Sequence, residues 1–379
     1  MDIAFTEEQE MLRKAARDFL TAECPKKKVR ELEEDSKGHS PEIWKKMADL
    51  GWQGMVIPEK YSGQGMTFQD FTILVEEMGR NILPGPFVCT VVEGVLPIID
   101  AGTEEQKKEF LPKIANGELI FTMAHLEPNG LFDASGVTAK ATAKGDLYVI
   151  DGTKVFVEMA NVANYLLCVT RTSEGTSPED GVTVFIVDAK SPGVHIEVIP
   201  TIGMEKLCEV QFKNVSIPKK NILGKLDKGW PIVESVMRRG AIAKCAESIG
   251  GMQAAVEMTV AYSKERVQYD RPIGAFQALQ HIMADMWTAM QTSRYIVYQA
   301  AWLESEGLPS EKEVAMAKAY VNEKYKWLTE KGVLMHGAIG TSREHDIPLY
   351  FRRAKAADIR YGGTDYWREI VATKIGLVS

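Results

Sequence analysis

The sequence predicts an α+β multidomain protein: an N-terminal helical domain, a central antiparallel β-barrel-like domain and a C-terminal four-helix bundle. Three observations carry this. The chain has 379 residues, more than a single hydrophobic core usually serves. Its hydrophobic period shifts from helical towards two near residue 119 and back to helical near residue 226. The composition, 45% apolar and 26% charged, is that of an ordinary globular protein rather than a disordered or fibrous one. The expected domains are therefore 1–118, 119–225 and 226–379.

In the first segment, Thr6 caps a helix, and Gln9 at the third helical position completes a capping box before MLRKAARDFL. Ser40-Pro41-Glu42 opens the next helix, with proline in its first turn. Ile73–Met78 and Glu104–Ile114 carry helical spacing. The Gly- and Pro-rich stretch Pro58–Gly65 is expected to be irregular. In the second segment, LYVIDGTKVFVEM places Asp151-Gly152 between apolar runs, which predicts a hairpin. GVTVFIVDA, GVHIEVIP and CEVQFKNVSIP are further strands divided by turn residues. In the third, residues 232–266, 277–306 and 311–336 are long Ala-, Met- and Leu-rich helical runs joined by short loops, the pattern of a bundle.

The net charge is −7 with pI ≈ 5.6, and no basic stripe is present, so nucleic-acid binding is not expected. The acidic, amphipathic start lacks the basic and apolar regions of a secretory signal. No apolar run is long enough to span a bilayer. Cys24, Cys89, Cys168, Cys208 and Cys245 are scattered and form no CxxC pair, which points to buried free thiols in a reducing, cytoplasmic setting. The six histidines show no ligand spacing, and no metal site is expected. Gly63-Gln64-Gly65 is not a dinucleotide fingerprint, because the third glycine and the flanking strand and helix start are missing.

Four segments, in order, resemble the acyl-CoA dehydrogenase family over essentially the whole chain. They are AGTEEQKKEFLPKIANGE (101–118), HLEPNG (125–130), ERVQYDRPIGAFQALQHIMADM (265–286) and HGAIGTSREHDIPLYFRRAKA (336–356). The resemblance implies an FAD enzyme that oxidises an acyl-CoA thioester. A carboxylate removes the α-proton while the β-hydride passes to the flavin, and donors to the thioester carbonyl stabilise the developing charge. It also implies FAD between the β-domain and the bundle, an electron-transfer flavoprotein as electron acceptor, and a homotetramer or heterotetramer.

The resemblance assigns Arg266 to the FAD diphosphate, a role suited to a fixed fork of donors. Tyr269 and Gln277 follow at the family spacing, although plain helix packing accounts for such residues equally. Gly337 and Gly340 match backbone-approach glycines, with a helix cap and turn as the alternative. Thr364 matches an FAD-contacting threonine, and it also suits the N-cap of the following helix. Leu126, Phe156 and Glu158 stand where the family often has threonine, tryptophan and threonine around the flavin. Strand alternation would put Phe156 and Glu158 on one face. Glu158 is either a new catalytic group or turned to solvent, and solvent is favoured because an unpaired carboxylate beside flavin is costly. Arg238 and Arg239 are candidates for an anionic substrate group or CoA phosphates, or a solvated face.

The catalytic carboxylate is the departure. The family glutamate near the end of the bundle falls on Gly362 or Tyr361, depending on the alignment anchor, within Arg360-Tyr361-Gly362-Gly363-Thr364. The alternative family position, on the first bundle helix, falls on Gly240. Four readings follow. The base is relocated, to Glu93 in the segment that lines the family's acyl pocket or to Glu247, about two helical turns beyond Gly240. That arrangement suits a non-standard acyl group, cyclic/alicyclic or dicarboxylic. Otherwise the chain is one subunit of a heteromeric dehydrogenase whose partner carries the base. It could also be a flavin-dependent acyl-CoA lyase, desulfinase- or decarboxylase-like, without net oxidation. Last, it could be a binder without catalysis.

Overall fold

The computed structural model describes residues 5–377. The first four residues of the acidic start lie outside that range. Helices come first, then strands, then helices, as the change of period predicts. In order they are α1 (Glu7–Glu23), α2 (Lys26–Glu34), α3 (Pro41–Asp49), α4 (Phe68–Asn81), a π-helical segment (Cys89–Val95), α5 (Leu96–Ala101) and α6 (Glu104–Ala115). The sheet follows: β1 (Phe121–Ala124), β2 (Lys140–Lys144), β3 (Leu147–Glu158), β4 (Tyr165–Arg171), β5 (Val182–Asp188), β6 (Val194–Ile199), β7 (Leu207–Pro218) and β8 (Ile222–Leu223). Then come α7 (Trp230–Glu265), a short hairpin of β9 (Val267–Gln268) and β10 (Arg271–Pro272), α8 (Gln277–Ser305), α9 (Glu311–His336), α10 (Ile347–Ile359) and α11 (Thr364–Lys374). Among the described residues no helix is long and apolar enough to cross a membrane.

Local chemistry explains the helix starts. The Thr6–Gln9 capping box is present at α1 (Gln9 N–H to Thr6 Oγ1, 3.2 Å), and Ser40 caps α3 ahead of Pro41. Thr103 and Gln106 form a second capping box at α6. The lysine- and glutamate-rich run of α2 carries no such cap signal.

The contacts divide the chain into two compact units. One comprises residues 31–67 and 84–240 and contains the sheet. Its strand order is β6-β7-β3-β2-β4-β5-β8, with β1 added beside β4. Most pairs are antiparallel, but both β1 and β2 run parallel to β4, so the expected wholly antiparallel pattern is broken at those two pairings. The inner face packs Tyr148, Ile150, Cys168, Phe185, Val210 and Phe212.

The Asp151-Gly152 hairpin does not exist. β3 is one strand of 12 residues with an irregularity between Ile150 and Gly152. Asp151 Oδ1 instead accepts the Asn214 amide (2.8 Å), and the bare Gly152 lets Ala139 approach, since a methyl group there would stand 2.5 Å from its Cβ. The chain turns earlier, at Gly145, between β2 and β3. A Gly inside a strand marks a bulge as readily as a turn.

The other unit comprises residues 1–30, 68–83 and 241–379. Its central helix is α4, buried on nearly every side. The acids Glu76 and Glu77, 2% and 1% exposed, enter this interior because Arg13, Arg17, Arg294 and Tyr298 meet them. α4 crosses α7 at a pair of glycines. A methyl group at Gly79 would lie 1.9 Å from Glu247 O, and one at Gly250 1.8 Å from Glu76 O.

All five cysteines are free and buried. Burial pushes the Cys168 thiol up to about 12, well above its ordinary 9.0. A folded-state value above the unfolded one gives stability that is complete below pH 9 and lost as pH rises towards 12. In Cys168→Ala the parent's stability advantage should therefore shrink by about 1.4 kcal/mol per pH unit above pH 9. Urea midpoints at pH 8, 9, 10 and 11 check this, and a constant difference would rule it out.

Candidate active site

The sequence-predicted residues fall into two groups, one in each unit. In the sheet unit, Leu126 follows β1 and Phe156 lies in β3. They are brought together through the backbone, where the Val155 N–H donates to Leu126 O (2.8 Å). A buried ion pair of the neighbouring residues, which no local sequence signal announces, fixes this junction. Lys154 Nζ is 2.7 Å from Glu127 Oε1, with the side chains 0% and 3% exposed, and it also donates to His125 O. Glu127 accepts the Thr138 and Ala139 amides (3.0 Å each) and the Thr138 hydroxyl. Burial pushes the Glu127 carboxyl up, but the Lys154 ammonium and these donors outweigh it and hold it below its ordinary value.

Strand alternation does not hold at Phe156. β3 has a second irregularity between Lys154 and Val157, where Phe156 takes φ 54°. Phe156 is 39% exposed, whereas Glu158, two residues on, is buried at 9%. The two therefore do not share a surroundings, and Glu158 is not turned to solvent. An aromatic held in left-handed backbone and left half-exposed is uncommon, and such strain concentrates at functional sites.

Glu93 belongs to the same unit. It lies on the π-helical segment, 2% exposed, and its Oε2 accepts the Thr122 hydroxyl and the Met123 amide of β1, both at 2.9 Å. The segment presses on β1, for a methyl group at Gly94 would sit 2.4 Å from Phe121 Cβ. Single π-helical turns inside helical runs are frequent at functional sites. Arg239, on the first turns of α7, pairs with Asp100 (2.5 Å), and both line a cavity of about 220 Å³ with Val92, Pro97, Ile232 and Val236. Arg238 is half-buried beside it in sequence, and Gly240 is buried.

In the helical unit, Arg266 directly follows α7 with an exposed side chain, and no carboxylate among the described residues pairs with it. The β9–β10 hairpin follows. Its two turn residues, Tyr269 and Asp270, both have positive φ (53° and 60°), a conformation usually left to Gly or Asn. Tyr269 is 88% exposed at the tip. Gln277 is exposed at the start of α8. Gly337 has φ 64°, and nothing lies within 4 Å of where its side chain would be, so its backbone is open to approach. Gly340 differs: a methyl group there would strike Val333 O at 2.4 Å, so the turn's own packing demands that glycine.

Gly363, not Thr364, is the N-cap of α11, and the Thr364 hydroxyl donates to Asp358 Oδ1 (2.9 Å). Glu247 pairs with Lys244 (2.7 Å) and is 24% exposed. Gly362 has φ 96°, and a side chain there would meet the Tyr366 and Trp367 rings at 2.6 and 2.8 Å. Tyr361 is buried, also with positive φ (56°). A side chain at 362 would therefore be strained by its backbone conformation and crowded by the two rings. A guanidinium without a carboxylate partner suits a phosphate, an exposed ring such as Tyr269 can stack on an aromatic group, and the open Gly337 backbone leaves room for close approach.

Comparison with known proteins agrees in order and extent. The family models for the acyl-CoA dehydrogenase N-terminal, middle and C-terminal domains match residues 6–118, 122–215 and 227–376. The probable acyl-CoA dehydrogenase YngJ of Bacillus subtilis is 31% identical over 99% of this chain and 100% of its own. The caffeyl-CoA reductase-Etf complex subunit CarC of Acetobacterium woodii is 32% identical over 97% of each chain. The solved butyryl-CoA dehydrogenase of Megasphaera elsdenii superposes with a TM-score of 0.91 at 29% identity, covering 99% of this chain and 100% of that one. With the fold, the order of its parts and these relatives in agreement, the chain belongs to the acyl-CoA dehydrogenase family of FAD-dependent oxidoreductases.

Proposed function

We propose that the chain oxidises an acyl-CoA thioester with a non-standard acyl group, cyclic/alicyclic or dicarboxylic, and that Glu93 is its relocated base. The observation that carries this is the Glu93 carboxylate, buried on a π-helical turn and oriented by two donors from β1. A base for a weakly acidic carbon must be dry and fixed in direction. Glu247 meets this less well, because Lys244 already neutralises it. Residues 1–118, 119–225 and 226–379 serve as the three domains of this enzyme.

FAD, when bound, supplies hydride acceptance at the β-carbon. The chain's own residues do the rest. Arg266 holds the diphosphate, with Tyr269 and Gln277 beside it, and the Gly337 backbone admits the cofactor closely. Leu126 and Phe156 pack on the ring system. Glu93 takes the proton, Thr122 and Met123 keep it aimed, and Arg238 and Arg239 attract the anionic part of the substrate. The Etf complex named for the Acetobacterium relative supports an electron-transfer flavoprotein as electron acceptor. A second reading, one subunit of a heteromeric enzyme whose partner brings the base, draws support from Tyr269, an aromatic offered almost wholly to the outside on a strained hairpin.

The test is anaerobic addition of straight, cyclic and dicarboxylic acyl-CoAs to the purified holoprotein while the flavin band is followed. Bleaching by one class names the substrate. Glu93→Gln is expected to slow that bleaching by about 10²–10⁴-fold, and Glu247→Gln to leave it within about threefold. A Glu93→Gln variant that bleaches at the parent rate removes Glu93 from the role. Bleaching only after a second subunit is added would favour the heteromeric reading.

A further inference from the structure

The stretch after α10 contains two successive left-handed residues, Tyr361 (φ 56°) and Gly362 (φ 96°). The end of a helix leaves carbonyls that need donors. Here the donors come from a neighbouring helix. Lys318, Asn322 and Lys326 lie four residues apart on one face of α9. Lys318 Nζ donates to Ala357 O (2.7 Å) and to Asn322 Oδ1 (2.8 Å). Asn322 Nδ2 donates to Asp358 O (3.0 Å). Lys326 Nζ reaches Asp358 Oδ2 (2.6 Å), and the other Asp358 oxygen accepts the Thr364 hydroxyl (2.9 Å). On the far side, Trp367 Nε1 donates to Tyr361 O (2.9 Å). Both ends of the turn are thus held by side chains.

Lys318 is 1% exposed, and burial pushes its ammonium down to about 8. An apolar residue would fill the same space without that desolvation cost. The donated bonds are what a lysine contributes there. A positive group also complements the negative end of α10.

We propose that Lys318, Asn322 and Lys326 are positioning residues, a clamp that sets the conformation of the Arg360–Thr364 turn and through it the placement of Thr364. The functional weight of this rests on the reading above that Thr364 faces the cofactor. The clamp itself is independent of that reading, and the experiment separates the two.

The holoprotein of Lys318→Met is compared with the parent by amide hydrogen exchange and by the rate of FAD release, followed by flavin fluorescence. Loss of hydrogen bonds from a charged donor should speed exchange across 358–367 by about tenfold or more, with exchange in β3–β7 unchanged. FAD release should quicken by a similar factor, and the visible circular dichroism of the bound flavin should change. Faster local exchange with FAD release unaltered would keep the clamp and remove Thr364 from the cofactor site. Unchanged exchange across 358–367 would overturn the proposal. So would an equal acceleration at every amide, which is the mark of a merely structural residue. Should Lys318→Met not fold, Lys326→Met, at the half-exposed end of the same row, provides the same readouts with the same meaning.

Discussion

Lys154→Met is expected to destabilise the sheet unit by about 3–5 kcal/mol, the usual consequence of removing one partner of a buried ion pair. Glu127 would keep its three donors from Thr138 and Ala139 but lose the charge that offsets its burial. The carboxylate must then take up a proton or pull water into the core. Because Lys154 also ties down His125 O, the junction of Leu126 with Val155 should loosen as well. A urea midpoint well below the parent's, with FAD retained more weakly, is the expected pair of results. The double variant Glu127→Met with Lys154→Met should regain only part of the loss. It removes the lone charge but strands the Thr138 and Ala139 amides. A single variant as stable as the parent would show that the pair does not hold this junction.

Gly250→Ala should be nearly as damaging, at about 3 kcal/mol or more. The new methyl group would stand 1.8 Å from Glu76 O and 2.6 Å from Arg80 N. Both are backbone atoms of α4, so no side chain can swing aside and the helices must separate. Separation also stretches the bonds from Arg294 (2.8 Å) and Tyr298 (2.5 Å) to the Glu76 carboxylate. Gly251→Ala is the useful comparison, since its methyl group meets the side chain of Tyr325 rather than backbone. The expected order of denaturant midpoints is parent, then Gly251→Ala, then Gly250→Ala. Equal midpoints for parent and Gly250→Ala would mean that the α4–α7 crossing relaxes freely.

The local setting of several proposed cofactor residues was legible because they sit in short-range motifs. Arg266, Tyr269 and Gln277 are set by the end of α7 and a two-residue hairpin, and Gly337 by the end of α9. Such positions follow from short-range chemistry, which a sequence displays directly. The residues proposed for the flavin side were less legible. Alternation implied that Phe156 and Glu158 share a face, and the irregularity at Phe156 separated them. A bulge depends on the partner strand β7, about fifty residues away, so no local period announces it.

The amino-acid sequence by itself determined the order of helical and strand segments, the caps at Thr6 and Ser40, and the family. Each of these depends on neighbours within a turn or two, or on motif order along the chain. Only the tertiary structure decided how buried charge is accommodated. Glu127 finds Lys154, Glu76 finds Arg294 and Tyr298, and Asp358 finds Lys326, all across long separations. It also decided that a side chain at Gly362 would crowd the Tyr366 and Trp367 rings, and that Glu93 is more deeply buried than Glu247. Burial and pairing belong to surfaces that meet only after folding, and the strength of a charge's interactions depends on the water those surfaces exclude.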